Sequence, residues 1–127
     1  MDNLTCVVKI GETAKVISVI LKETDPVSGD MLPKDLTTYS QMQMKVTSTL
    51  GAVIINNAPC VIDANQMANK GKITCTLDIT VAAQPGIVPG THRLEFNGLN
   101  AAGKQRYWPI DEDGERTYGT FIIQRSL

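Results

Sequence analysis

The residues able to do chemistry in this sequence are few and scattered. The densest group is Asp111-Glu112-Asp113-Gly114-Glu115, four carboxylates around a glycine. Hard cations take several oxygen ligands around such a turn, so weak calcium binding is the chemistry the run invites. It lacks the D-x-D-x-D-G spacing and the distant bidentate Glu of an EF-hand, and a solvated hairpin tip is the expected role. His92 is the single histidine. No G-x-S-x-G elbow accompanies it, and no G-x-G-x-x-G or P-loop pattern occurs. His92 shares strand parity with Leu94 and Phe96, which points to a packed or strand-edge histidine. Catalysis has no support, and no cofactor is expected.

Cys6, Cys60 and Cys75 make an odd count without C-x-x-C spacing and with one histidine to join them. A structural zinc site needs four ligands at close paired spacings, so no metal is expected. Cys6 and Cys75 sit on the apolar faces of alternating runs, where a free thiol behaves as a small hydrophobe. Reduced thiols and the lack of a signal-peptide pattern point to synthesis and folding in a reducing cytoplasm.

The remaining candidates concern recognition. Met42 and Met44 alternate with Gln41, Gln43 and Lys45. They form either the core face of a central strand or a thioether face turned to a partner. Tyr107 and Trp108, next to the acidic run, form either a small exposed platform or a packed sheet end. The candidate partner-binding set is therefore Met42, Met44, Tyr107, Trp108, Asp111 and Asp113.

These residues ride on short strands. In Lys72–Ile79, Ile73, Cys75, Leu77 and Ile79 fall on one face, and Thr74, Thr76 and Asp78 fall on the other. Period two with β-branched residues marks a half-buried strand. His92, Leu94 and Phe96 repeat the pattern, and Ala101–Lys104 is short enough for a hairpin loop. Strands are also expected over 4–10, 13–22, 39–48, 53–55, 60–62 and 117–124. Residues 23–34 have loop composition, and 64–71 form a polar turn with at most one helical turn. Turn signals every 8–12 residues and no convincing helix predict an all-β fold. The expected form is one antiparallel immunoglobulin-like β-sandwich of seven to nine short strands spanning residues 1–127. Leu77 and Phe96 should lie in its core.

Composition narrows the partners. The chain has 127 residues, 43% hydrophobic and 20% charged, as in an ordinary globular domain. A net charge of −1 gives no electrostatic footprint for nucleic acid or an anionic membrane. The longest apolar run is far short of a membrane span.

Several fragments together resemble a known family. They are Gly11-Glu12-Thr13 opening a strand, Asp35-Leu36-Thr37 with Tyr39 opening another, and Gly71–Thr80 reading GKITCTLDIT. Ile87–Phe96, reading IVPGTHRLEF, then precedes a Gly-Lys hairpin and a closing Gly119–Gln124. The set resembles the immunoglobulin-like domain of tailed-bacteriophage virion proteins, in particular the N-terminal domain of phage baseplate upper proteins. Thr38 stands where that family has glycine, and His92 where it has tyrosine. The resemblance implies a non-enzymatic structural or adaptor protein of the virion, in the tail, baseplate or a capsid-attached appendage. It would dock to other virion structural proteins and form homo-oligomers, with a trimer favoured. The chain stops after the domain, which suggests a free-standing adaptor. The alternative is a carbohydrate- or receptor-binding module using Tyr107, Trp108 and the acidic loop.

Overall fold

The computed structural model describes residues 4–110, 115 and 117–125. Among them are ten strands and no helix. They are β1 (Thr5–Lys9), β2 (Lys15–Ile20), β3 (Lys22–Thr24), β4 (Met31–Pro33), β5 (Tyr39–Thr47), β6 (Val53–Ile62), β7 (Lys72–Leu77), β8 (Gly90–Asn100), β9 (Gln105–Trp108) and β10 (Gly119–Gln124). The fold is all-β. Eight strands share one sheet in the order β1-β10-β8-β5-β6-β7-β2, with β9 also paired to β8, and β3 and β4 form a separate hairpin.

Two features depart from the antiparallel sandwich expected. β1 runs parallel to β10, from Thr5↔Thr120 to Lys9↔Gln124. The sheet is also one continuous path and not two free-standing layers, because β6 belongs to both halves. β6 pairs with β5 from Val53 to Cys60, then with β7 from Cys60 to Ile62. The path curls, so that alternate residues of β5, β7, β8 and β10 point into one core. Met42, Met44, Val46, Ile73, Leu94, Phe96, Trp108 and Phe121 are all buried there, as are Leu77 and Ile123. The turn between β1 and β2 is tied to the segment that follows β7, where Gly11 N donates to the Ile79 carbonyl and Ile79 N to the Glu12 carbonyl, both at 2.7 Å.

Local chemistry explains other departures. Asn56-Asn57 does not end a strand; the register shifts between Met44 and Val46, and the strand continues as a bulge. Asn57 takes φ 51°, a conformation Asn tolerates better than most residues. The loop expected at 23–34 holds the β3–β4 hairpin. Its turn is built by Asp25, whose carboxylate accepts from Ser28 Oγ at 2.9 Å and Ser28 N at 3.3 Å. Gly29, at φ 77°, supplies the left-handed residue there. Residues 64–71 are turn and bend without a helix.

The cysteines depart from expectation too. Cys60 and Cys75 are register partners on β6 and β7 and share a disulfide. The reading of reduced thiols therefore fails for this pair. Cys6 alone is free, and it is buried. Burial pushes its thiol pKa above the ordinary value, which keeps it in the neutral, unreactive form.

Candidate functional site

Four of the six candidate partner-binding residues lie in described strands. Met42, Met44 and Trp108 are buried in the core. Their side chains are therefore not the exposed contact surface that one of the two readings required. β5 lies between β6 and β8, so its methionine face is held against the core on both flanks. Trp108 points inward and Tyr107, the next residue on β9, alternates outward. The two rings cannot form one platform. The Tyr107 hydroxyl donates to Gln105 Oε1 at 3.1 Å. Asp111 and Asp113 lie outside the described residues, as does most of the acidic run proposed for calcium. Among the described residues, no group of three or more His, Cys, Asp or Glu side chains could hold a metal ion.

The structure instead assembles a cluster that spacing did not reveal. Glu23 on β3 accepts two hydrogen bonds from Arg106 on β9, Nε to Oε2 at 2.8 Å and Nη2 to Oε1 at 2.7 Å. The Trp108 indole Nε1 donates to the same Oε2 at 3.2 Å, which supplies the acceptor a buried tryptophan needs. Lys34 Nζ lies 3.9 Å from Glu23 Oε1. A fork-to-carboxylate pair has the geometry of the stronger ion pairs, and it fastens the β3–β4 hairpin to the main sheet. Hydrogen bonding to Glu23 raises the Arg106 pKa above its ordinary value.

Tyr39 packs edge-on against Trp108, ring centroids 5.4 Å apart and planes at 73°. Both rings lie over Gly98 on β8. A Cβ there would come within 2.9 Å of Trp108 Cζ3, 3.0 Å of Met42 Cε and 3.1 Å of Tyr39 Cδ1. Glycine in a strand interior here marks close approach of side chains, a signal readable in sequence. Burial first, and the Glu23 charge second, raise the Tyr39 hydroxyl pKa.

Beside Tyr39 an open groove of about 470 Å³ begins. It lies where β5 and β6 part, since their pairing stops at Met42↔Cys60 while β6 goes on with β7 to Ile62↔Ile73. Tyr39 and Ser40 line it from β5, Cys60, Val61 and Ile62 from β6, and Asp63 and Gln66 from the following turn. Gln66 is buried and satisfied on both ends. Its Oε1 accepts from Leu36 N at 3.1 Å and Gly71 N at 2.9 Å, and its Nε2 donates to the Asp63 carbonyl at 2.8 Å. One amide thus locks the 34–38 connection to the 63–71 turn and makes the groove wall rigid. Nearby, the Thr37 backbone N–H, then its hydroxyl, hold the Asp35 carboxyl below its ordinary pKa.

His92 sits at the start of β8, where its Nε2 lies 3.0 Å from the Val88 carbonyl oxygen. A carbonyl only accepts, so Nε2 carries the proton, and buried Nδ1 is left without a partner among the described residues. The histidine has a corner-fixing role, in agreement with the packed position expected of it.

No family model matches the chain, and no curated protein does. Among solved structures, that of CopC from Methylosinus trichosporium OB3b is similar over 99% of this chain and 88% of its own, with a TM-score of 0.44 and 9% identity. A likeness of that size carries no argument about function.

Proposed function

We propose that the protein is a non-enzymatic structural adaptor of a tailed-bacteriophage particle, working by docking to other virion proteins. The observation that carries the reading is the strand order. β2-β7-β6 and β5-β8-β10 are neighbours in the way that strands B-E-D and C-F-G are in an immunoglobulin-like domain. His92 adds to it, bonding back to the Val88 carbonyl four residues upstream, as the tyrosine of a tyrosine corner does. That is the position at which the phage family carries tyrosine. Fold alone assigns no activity. The reading joins the order of strands to the sequence fragments that resemble virion domains, and to a rigid end built from Glu23, Arg106 and Gln66.

The test is genetic and structural. In a phage encoding this chain, deleting its gene should give particles that lack one defined density or fail to assemble. Deletion particles that keep every density and assemble normally would end the reading.

One observation favours a second reading, glycan or receptor recognition. The groove beside Tyr39 offers an aromatic ring together with Ser40 and Asp63, a mixture suited to hydroxyl-rich ligands. Specific glycan binding abolished by Tyr39→Ala would move the assignment there.

A further inference from the structure

β2 ends the sheet path and pairs only with β7 among the described residues. Leu21 N donates to the Gly71 carbonyl at 2.8 Å. Main-chain groups of an antiparallel strand alternate sides residue by residue. Ile17 and Val19 therefore turn theirs to β7, and Val16, Ser18 and Ile20 turn theirs to the open edge. The side chains of these three residues are also exposed, Val16 by 58% and Ile20 by 50%. Inward from the edge, Ser18 opposes Thr74 and Thr74 opposes Val61. Val61 is 70% exposed, so β-branched surface continues across the outer face.

Natural sheets blunt such edges with lysine, proline or a bulge. β2 carries none of these between Lys15 and Lys22. Its sequence is instead nearly symmetrical about Ser18, with Val16-Ile17 on one side and Val19-Ile20 on the other. A second copy laid antiparallel on this edge sets Val16 against Ile20, Ile17 against Val19, and Ser18 against Ser18. Every apolar pair is β-branched, the kind that stabilises adjacent strands. The charges fit as well. Lys15 meets Leu21 and Lys22 meets Ala14, so no like charges oppose, and Lys15 is already 3.5 Å from Glu12.

We propose that this protein docks a second copy of itself edge to edge through β2, with a two-fold axis at Ser18 and one sheet continuous across both copies. The outward N–H and C=O groups of Val16, Ser18 and Ile20 then pair with those of Ile20, Ser18 and Val16 of the second copy. A two-fold contact uses the same patch twice and closes at two copies. The contact thus makes a dimer and not the threefold assembly that the family resemblance implies. It is independent of the virion reading.

The test combines mass with register. Sedimentation equilibrium of the wild-type chain should show a reversible monomer–dimer mixture, and Ser18→Lys should raise the dissociation constant at least tenfold by opposing two charges on the axis. Ser18→Cys puts two thiols about 5.5 Å apart in Cα terms, inside the range a disulfide spans. Val16→Cys puts its two copies about 13 Å apart, four residues out of register. Mild oxidation should therefore cross-link Ser18→Cys and leave Val16→Cys uncross-linked. A wild-type chain that stays monomeric at the highest concentration reached overturns the proposal, as does one that forms trimers. Equal cross-linking of the two cysteine variants, or none in Ser18→Cys, overturns it too.

Discussion

Cys60 and Cys75 stand opposite each other at a Cα–Cα distance of 4.5 Å, joined by a disulfide at the point where β6 passes from pairing with β5 to pairing with β7. Only three residue pairs join β6 to β7 there, and Cys60↔Cys75 is the first of them. The cross-link therefore holds the place where the curled sheet is most thinly paired. It spans 15 residues of chain, and closing a loop of that length stabilises by about 3 kcal/mol in the chain-entropy account. Replacing both cysteines with alanine should lower the unfolding free energy by about that amount in denaturant titrations. Wild-type protein in reductant should fall to a similar value. A loss under about 1 kcal/mol would mean that strand pairing alone secures the β6–β7 contact.

Gly98 should tolerate no side chain. Its missing Cβ is surrounded by Trp108, Met42 and Tyr39 at 2.9–3.1 Å, two of them rings with little freedom to withdraw. Gly98→Ala should cost about 1–3 kcal/mol by overpacking. Met42 is the flexible member, so Gly98→Ala with Met42→Ala should cost less than the sum of the single changes. Simple additivity in thermal unfolding would place the strain elsewhere.

What was legible in the sequence follows physical range. The alternation of Met42, Met44 and Val46 is a local pattern, and it placed β5. The same pattern put Leu77 and Phe96 in the core, where both are buried. The choice between a core and a partner-facing methionine stripe was not local. It depended on β6 and β8 flanking β5, which no window of sequence contains. The Cys60–Cys75 bond is hidden from the sequence for the same reason, because it requires that β6 turn from β5 to β7. The β3–β4 hairpin has strands of three residues each, too short to show a period. Glu23 and Arg106 lie 83 residues apart, and only the fold brings them together.

Tyr39 should make stability depend on alkaline pH. Burial, helped by the Glu23 carboxylate, raises its hydroxyl pKa above the ordinary 10.0. The folded state thus holds its proton where the unfolded chain has released it. The resulting stability is fully present below pH 10 and is lost as pH rises through 10 toward the folded value. Tyr39→Phe cannot titrate, so its stability should fall less than that of wild type over the same rise. Parallel losses in the two proteins would assign the alkaline dependence to other groups.

Glu23 serves Arg106 as a charge and Trp108 as an acceptor, and two substitutions separate these roles. Glu23→Gln keeps an acceptor oxygen for the indole but gives up the ion pair. The Arg106 side chain is 45% exposed, so solvent screens the pair, and its coupling in a double-mutant cycle with Arg106→Gln should be about 1 kcal/mol or less. That coupling should shrink in molar salt. Glu23→Leu removes both roles and leaves the Trp108 N–H buried without a partner. This should cost about 1–3 kcal/mol beyond Glu23→Gln, the penalty for an unsatisfied buried donor. Trp108 is the single tryptophan, so fluorescence reports on this one ring without ambiguity. Emission should change in Glu23→Leu and stay near wild type in Glu23→Gln. If the two variants lose the same stability and show the same emission, the indole bond contributes nothing, and Glu23 acts on the hairpin through its charge and not through Trp108.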